Sequence, residues 1–172
     1  MDPSGRESSL AKQRAGSYHL HREAAQQAVG MALPLIEALM NEPGQSGFLC
    51  IVVMDPARQP AESMFEDAVL YEHAIGDRAK WDADYAGLAR AKARLSWLHE
   101  MDTHVLQSVR PHWLRPGDTV LWGSVVLDGI VVGVSGAYAW YDEAIATAVA
   151  ACLRAVAKRA TQQRASSVLF LP

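Results

Sequence analysis

Cysteine is scarce in this sequence: the 172 residues contain only two, Cys50 and Cys152, and they lie far apart. Cys50 sits in an apolar, β-branched run and Cys152 on an apolar helical stripe, so both are predicted to be small core residues. A disulfide framework of the kind that staples secreted domains is therefore excluded, and we expect a reducing compartment, the cytoplasm.

Long apolar runs are also missing. No stretch approaches the roughly 20 consecutive apolar residues that a membrane-spanning helix requires. The first nine residues show neither the basic segment nor the apolar segment of a signal peptide. Positive charge is not in excess, since 16 Lys and Arg stand against 19 Asp and Glu, a formal net charge of −3. We therefore expect no membrane partner and no nucleic-acid partner.

Apolar residues make up half of the sequence and charged residues a fifth. A chain of this length buries roughly 70% of the surface that it exposes when unfolded, which is enough for a true core. We predict a polar N-terminal extension, rich in Ser and Gly, over residues 1–16 and a single domain over residues 17–172. The apolar residues at 168–172 are expected to pack on a neighbour.

Residues 122–137 predict a β-hairpin. Their apolar, β-branched run is interrupted by Asp128-Gly129, a pair that supplies the positive φ angles of a two-residue turn at little cost. Gly133 and Gly136 follow in the second strand and at its exit. A missing Cβ at these two positions lets another backbone or a ligand come close.

A helix is predicted to begin directly after the hairpin, with Asp142 as its N-cap. Apolar residues recur at helical spacing from Ile145 to Val156. The free N–H groups at the start of such a helix can receive a carboxylate or a propionate of a ligand. Asp142 competes for the same groups, so a purely structural cap remains an alternative.

Earlier in the chain, residues 21–40 keep an apolar face at helical spacing, interrupted by Pro34. This predicts either one kinked helix or two shorter ones. Residues 47–54 are a nearly continuous apolar run and are predicted to form the central strand of the sheet. Residues 61–65 are predicted to form its partner strand, and residues 68–80 to be irregular or weakly helical.

A further helix is predicted from Asp84, with Leu88, Ala91, Leu95 and Leu98 on one face. The same helix is expected to continue through Val109, where Arg110-Pro111 ends it.

Three short motifs resemble the GlcG/HbpS-like family, which is also found as the C-terminal domain of PduO-type proteins. Val134–Ala137, followed after a four-residue spacer by Asp142–Ala146, resembles the C-terminal signature of the family. Ile51–Asp55 resembles its first strand, and Ala89–Arg94 resembles its central Lys-Ala-Arg helix. The motifs occur in the family's order and span about residues 22–160. The resemblance implies an α/β (α+β) fold in one domain, profilin-like, with helices packed against a mainly antiparallel central sheet.

The sequence also departs from the family pattern. Pro116–Thr119 stands where family members carry a Gly-Gly-x-Pro entry to the hairpin, and Pro56–Gln59 stands where they carry a glycine pair. A ligand site that depends on the glycine-rich entry would be altered or lost. Counting back from Ser135 without gaps places the family's turn at Gly123-Ser124. The local turn chemistry favours Asp128-Gly129, and we adopt that register.

The resemblance implies an oligomeric small-molecule-binding protein in which several subunits build the pocket, with haem as a candidate cofactor. Histidine and methionine are common axial ligands of haem iron. The candidate haem ligands in this sequence are His21, His99, His104 and Met101. The candidate ligand-binding residues are Arg90, Lys92, Arg94, Gly136, Tyr138 and Asp142.

Two other classes of function stay open. In an enzyme acting on a small organic acid, Arg90, Lys92 and Arg94 would anchor a carboxylate; a solvated helix flank is the alternative for the same residues. An oligomeric scaffold without a ligand is the third class. Large aromatic residues suit either a subunit interface or the walls of a flat-ligand pocket. These residues are Tyr138, Trp140, Tyr141, Trp113 and Trp122.

Familiar catalytic and metal motifs are absent. His99 and His104 are five residues apart, which places them some 140° apart around a helix, so they do not form a His-Glu-x-x-His zinc site. Ser135 is not in a nucleophile elbow because Ala137 occupies the place of the required glycine. No metal site and no catalytic residue is predicted.

Overall fold

The computed structural model describes residues 16–171, and a four-stranded antiparallel sheet lies at its centre. In chain order the strands are β1 (Leu49–Met54), β2 (Val69–Ile75), β3 (Ser124–Leu127) and β4 (Ile130–Ser135). Their spatial order is β2-β1-β4-β3, so the two strands that are buried along their whole length, β1 and β4, are the inner ones. The predicted α+β class and the central position of β1 are confirmed.

Helices cover both faces of this sheet. In chain order they are α1 (Arg22–Met40), α2 (Phe65–Ala68), α3 (Tyr85–His99), α4 (Thr103–Val109) and α5 (Ala139–Gln162). Two 3₁₀ turns, Arg78–Lys80 and Pro111–Trp113, lie between them. Helices α1 and α5 pack together on one face of the sheet, and α3 packs on the other.

Successive side chains of β1 point to opposite faces of the sheet, and this alternation explains the two apolar layers. Leu49, Ile51 and Val53 belong to the layer shared with α1 and α5, whereas Cys50 and Val52 belong to the layer shared with α3. Both faces are therefore buried, which is why this strand reads as a continuous apolar run. The prediction that Cys50 is a core residue is confirmed, and burial raises the pKa of its thiol to about 12.

The predicted hairpin turn is confirmed at Asp128-Gly129, where φ is 51° and 79°. Gly123, the alternative turn position, instead precedes β3 with φ of 132°. At Gly133 the close neighbour is helix α3. A Cβ at this position would lie 2.6 Å from the carbonyl oxygen of Ala89 and 2.8 Å from Cβ of Ala93. The glycine therefore lets α3 approach the sheet.

Two predicted helix boundaries are wrong. Helix α5 begins at Ala139 with Tyr138 in the N-cap position, so Asp142 lies in the first turn and is buried instead of capping the end. Helices α3 and α4 are separate, because Glu100 adopts a left-handed conformation with φ of 50° that ends α3. Of the two alternatives for residues 21–40, one helix continuing through Pro34 is observed.

The predicted partner strand of β1 is also wrong. Residues 61–65 form a turn and the start of α2, and β1 pairs with Val69–Ile75, a segment that we predicted to be irregular or weakly helical. The central Tyr71, Glu72 and His73 are only half-buried because β2 is an edge strand. Because polar and apolar residues are mixed along this segment, its sequence lacks the regular apolar–polar alternation that identifies a strand.

At the ends of the chain, residues 1–15 of the predicted extension lie outside the described residues. Near the other end, the side chains of Leu169 and Phe170 are 80% and 87% exposed. Among residues 16–171, no helix combines the length and the apolar character needed to cross a membrane.

Candidate functional site

Lys92 and Asp142 form a buried ion pair where β4 ends. Lys92 lies on α3 and Asp142 in the first turn of α5, and their Nζ and Oδ2 atoms are 2.8 Å apart. The side chains are 3% and 2% exposed. The Lys92 ammonium also donates to the carbonyl oxygen of Val134 at 2.9 Å and to Oγ of Ser135 at 3.4 Å. All three N–H donors of the ammonium therefore have acceptors.

The carboxylate of Asp142 is held from a second side. Its Oδ1 accepts a hydrogen bond of 3.0 Å from the backbone N–H of Ala137. Burial raises the pKa of Asp142 to about 6, although the charge of Lys92 and the hydrogen bonds to the carboxylate act in the opposite direction. The pair thus joins α3, β4 and α5 at one point. Its burial costs free energy, because both charges lose their hydration.

Two glycines make room for this arrangement. Gly136 has φ of 142°, and a Cβ there would lie 2.1 Å from the carbonyl oxygen of Phe48. A Cβ at Gly123 would lie 2.6 Å from Cβ of Asp142 and 3.2 Å from Nζ of Lys92. Any side chain at either position would displace backbone or the ion pair, so both positions require glycine.

A cleft of about 350 Å³ opens above the ion pair, and we name it the β4-end cleft. Lys92, Ser135 and Asp142 lie along it. Two aromatic residues also line it: Trp122, which is half-buried, and Tyr138, which is exposed. Tyr138 lies in the N-cap position of α5, and Trp122 precedes β3. A concave surface lined by aromatic rings and a few polar groups is suited to a small organic ligand.

The six predicted ligand-binding residues divide between two places. Lys92, Gly136, Tyr138 and Asp142 meet in the β4-end cleft. Arg90 lies elsewhere, where its guanidinium forms ion pairs with Glu66 and Glu72.

Arg94 is exposed and lines a separate groove of about 250 Å³ together with Arg90 and Thr119. The structure therefore does not bring Arg90 and Arg94 together with Lys92, although all three lie on α3.

Three of the four candidate haem ligands lie around the junction of α3 and α4. The ring of His104 stacks on Trp122 with centroids 4.5 Å apart, and its Nδ1 is 3.8 Å from Oε2 of Glu143. His99 lies 5.5 Å from Trp113, centroid to centroid, and Met101 lies in the turn between the two helices. His104 is thus next to a wall of the β4-end cleft.

His21, the fourth candidate, lies in a different part of the molecule. It lines a cavity of about 680 Å³ between the segment before α1 and the last turn of α5, which we name the terminal cavity. Its Nδ1 is 2.8 Å from Oε2 of Glu23. Glu143 and Ala160, the α5 neighbours of His104 and His21, are about 25 Å apart at 1.5 Å per residue. One haem iron therefore cannot bind both His21 and His104.

The terminal cavity was not predicted from the sequence. Tyr18, His19 and Arg164 line it beside His21, and so do the apolar Val168 and Leu171. His19-x-His21 was a visible signal, but no local pattern shows that residues near 20 and 164 meet. Gln45 and Leu88 of the β4-end cleft were missed for the same reason. Within residues 16–171, no group of three or more His, Cys, Asp or Glu side chains is placed to hold a metal ion.

No family model matches the sequence, and no curated protein matches it. The fold is similar to the crystal structure of the Klebsiella pneumoniae protein ORFY, of family DUF336. The two are 18% identical, the match covers 83% of this chain and 98% of that chain, and the TM-score is 0.53. The crystal structure of the Ybr137w protein is also similar. The two are 11% identical, the match covers 91% of this chain and 88% of that chain, and the TM-score is 0.52. The crystal structure of a PduOC:heme complex is 16% identical, the match covers 81% of this chain and 95% of that chain, and the TM-score is 0.49.

The protein is thus an α+β protein with a four-stranded antiparallel sheet between two helical layers. Its fold is that of DUF336, or GlcG-like, proteins. The resemblance of the three sequence motifs to the GlcG/HbpS-like family is confirmed at the level of the fold.

Proposed function

We propose that this protein binds a small, flat organic molecule in the β4-end cleft and that it acts as a homo-oligomer. The observation that carries the proposal is the convergence of Lys92, from the motif on α3, with Gly136, Tyr138 and Asp142, from the C-terminal motif, on one concave surface. The cleft lies within the usual range of small-molecule sites, about 300–1,000 Å³.

The chemistry of the cleft favours a planar ligand. The charge of Lys92 is balanced by Asp142, and its N–H donors are already used, so the floor offers little net charge to an anion. Trp122 and Tyr138 instead line the cleft with aromatic rings, which are stacked on His104 and Trp140 outside it, and aromatic walls favour a flat molecule. An aromatic compound should therefore bind better than an aliphatic hydroxy acid of similar size.

A thermal-shift titration with benzamide, benzoate and lactate tests this proposal. We expect the aromatic probes to raise the melting temperature as their concentration rises, and lactate to leave it unchanged. Trp122→Ala should abolish the shift. Trp140→Ala is the matched control, because Trp140 stacks on Tyr138 but does not line the cleft.

The proposal is refuted if no aromatic probe shifts the melting temperature, or if Trp122→Ala binds as well as Trp140→Ala. A shift with lactate alone would instead favour an enzyme or accessory protein that acts on a small organic acid. The ion pairs of Arg90 with Glu66 and Glu72 give no support to that alternative, since they occupy a predicted carboxylate anchor.

Haem is the second candidate ligand, and the terminal cavity is the place that favours it. His19, His21 and Tyr18 there are side chains of the types that ligate haem iron, and Arg164 is available for a propionate. The cavity, about 680 Å³, is larger than the β4-end cleft. A bound haem would supply a redox-active iron, and these residues would hold and orient it.

A haem titration followed in the Soret region separates the candidate ligands. We expect a Soret shift that His21→Ala or His19→Ala weakens and that the double variant abolishes. His99→Ala, Met101→Leu and His104→Ala are the controls at the α3–α4 junction and should keep the shift. Absence of a shift in the unaltered protein overturns the haem proposal, and loss of the shift in His104→Ala alone would move the haem to the β4-end cleft.

Self-assembly is supported by exposed apolar side chains around the same cleft. Trp140 stacks on Tyr138, and Leu121 accepts a hydrogen bond from Gln107 of α4, so the cleft rim and α4 form one connected region. Exposed apolar patches of this kind mark interaction surfaces. The exposed members are Leu98, Val105, Val109, Trp113, Val120, Leu121, Tyr138 and Trp140.

Light scattering coupled to size exclusion tests the assembly directly. We expect a mass above that of one 18.7 kDa chain, reduced by Val109→Lys together with Trp113→Lys. Leu35→Lys, at an exposed site on α1, is the control and should leave the mass unchanged. A monomeric mass at all concentrations contradicts this part of the proposal.

A further inference from the structure

Helix α4 holds the backbone on both sides of Trp122. Oγ1 of Thr103, the first residue of the helix, accepts a hydrogen bond of 3.0 Å from the N–H of Gly123. One turn later, Nε2 of Gln107 donates to the carbonyl oxygen of Leu121 at 3.2 Å. Residues 103 and 107 share one side of α4 because they are four positions apart. The segment that carries Trp122 is therefore attached to this helix.

The indole ring of Trp122 is held by a third residue of α4, His104. The two rings are stacked, with centroids 4.5 Å apart and an angle of 24° between their planes. Within residues 16–171, the Trp122 side chain forms no hydrogen bond and packs on no second aromatic ring. Its backbone lies in a loop, residues 114–123, that has neither helix nor strand. The stack on His104 is therefore the main directional restraint on the indole.

His104 contacts the wall of the β4-end cleft from outside. Trp122 lines the cleft, whereas His104 does not. At the edge of the imidazole, Nδ1 is 3.8 Å from Oε2 of Glu143, which is longer than a hydrogen bond. This Oε2 is shielded from solvent and has no hydrogen-bond partner in the described part of the chain. A proton on Nδ1 is attracted to it, which favours the stacked orientation of the imidazole.

We propose that His104 is a positioning residue of the β4-end cleft, which holds the Trp122 ring in place so that a flat ligand meets a preformed aromatic wall. The inference rests on the proposed function and names the residue that prepares its site. An indole that already occupies its bound orientation loses less conformational freedom when a ligand packs on it, so the affinity is higher. His104 acts through Trp122 and does not touch the ligand.

Benzamide titration of the full chain tests this role. We expect His104→Ala to weaken binding about two- to tenfold, the range that an aromatic pair contributes beyond its buried area. His104→Phe keeps a flat ring on the indole and should restore the affinity. His104→Leu keeps apolar bulk without a flat ring and should not restore it. Unchanged affinity in His104→Ala, or equal losses in His104→Phe and His104→Leu, overturns the proposal.

His99→Ala is the matched control for His104→Ala. His99 also lies beside an indole, with its ring centroid 5.5 Å from that of Trp113, but Trp113 does not line the cleft. Its removal should leave benzamide binding unchanged. The His104 side chain is 52% exposed, so its substitutions should leave the fold intact. If His104→Ala does not fold, the comparison of His104→Phe with His104→Leu decides the question.

The indole N–H signal of Trp122 in the NMR spectrum of the ligand-free protein is the second readout. Trp122→Phe assigns this signal among those of the five tryptophans. We expect it to shift and broaden in His104→Ala, because the ring loses its stacked partner, and to sharpen again in His104→Phe. His99→Ala should leave it unchanged. A Trp122 signal that is the same in His104→Ala as in the unaltered protein overturns the proposal.

The two proposals fail in different ways. Benzamide binding that is equally tight in His104→Ala refutes the positioning role and leaves the proposed function standing. Absence of benzamide binding by the unaltered protein refutes the proposed function. The Trp122 signal then still shows whether His104 holds the indole, because that measurement needs no ligand.

Discussion

Nζ of Lys92 lies 2.8 Å from Oδ2 of Asp142, and the two residues come from helices on opposite faces of the sheet. They meet because β4 ends between them, where the chain turns at Gly136 into α5. The pair is buried, so its attraction must offset the loss of hydration of two charges. It fixes where α5 starts and forms the floor of the β4-end cleft.

Breaking the Lys92–Asp142 pair should destabilise the fold strongly. Lys92→Met removes the cation and leaves a buried carboxylate, a change that typically costs about 3 kcal/mol or more of unfolding free energy. Lys92→Met with Asp142→Asn removes both charges and should cost less than the sum of the two single changes. Urea unfolding measures all three variants, with Arg94→Met, at an exposed site on α3, as the control. Additive costs would show that the two side chains are not coupled.

The stability of the protein should depend on pH through Asp142. Its pKa in the folded chain is about 6, against an ordinary value of 3.8, so between these values the folded chain holds a proton that the unfolded chain has lost. The contribution of Asp142 is therefore full below pH 3.8 and is lost as the pH rises through 6.

Unfolding of the unaltered protein and of Asp142→Asn between about pH 4 and pH 7 measures this contribution. The difference in unfolding free energy, unaltered protein minus variant, should fall as the pH rises. A difference that grows with pH would mean that Lys92 outweighs burial and that the pKa of Asp142 lies below 3.8.

The hydroxyl group of Thr103 should contribute to the stability of the fold. Its Oγ1 accepts from the N–H groups of Gly123 and Ser124, both at 3.0 Å, and donates to the carbonyl oxygen of Ser124. Thr103→Val keeps the shape but leaves buried backbone groups unpaired, which costs about 1–3 kcal/mol for each group. Thr103→Ser keeps the hydroxyl and should cost much less. Equal losses for the two variants in urea unfolding would contradict the role of these hydrogen bonds.

Much of the fold could be predicted because its signals are local. Asp128-Gly129 specifies its own turn through its backbone preferences, and the apolar run of β1 identifies a strand covered on both faces. Strand β2 could not be predicted in the same way. Glu72 and His73 are placed there by pairing with β1 and by the arginines around the edge, neither of which lies in the local sequence.

Residues of the candidate site could be predicted from the sequence, but their arrangement in space could not. Gly136, Tyr138 and Asp142 are close in sequence, so a motif could group them. Lys92 lies 50 residues before Asp142, and in its Ala-Lys-Ala-Arg context it has the pattern of a solvated helix flank. Only the fold brings its ammonium under the start of α5. The terminal cavity depends on the same kind of long-range contact, between residues near 20 and 164.

Gly133 should be irreplaceable even by alanine, although a strand interior ordinarily disfavours glycine. A Cβ there would lie 2.6 Å from the carbonyl oxygen of Ala89 and 2.8 Å from the backbone nitrogen of Ala93. These atoms belong to α3, so the helix itself must move, and overpacking of this kind typically costs about 1–3 kcal/mol. The movement would carry Lys92 away from Asp142, so the cost should be accompanied by weaker probe binding in the β4-end cleft.

Gly30→Ala is the matched control for Gly133→Ala. Gly30 lies in α1, and a Cβ there would meet no atom within 4 Å beyond the adjoining backbone of its own helix, so alanine should stabilise the helix by about 0.5–1 kcal/mol. The two substitutions add the same methyl group and should change the urea midpoint in opposite directions. If Gly133→Ala were neutral, α3 would not be held against β4 at this point. The close approach that places Lys92 beneath the cleft would then have to come from elsewhere.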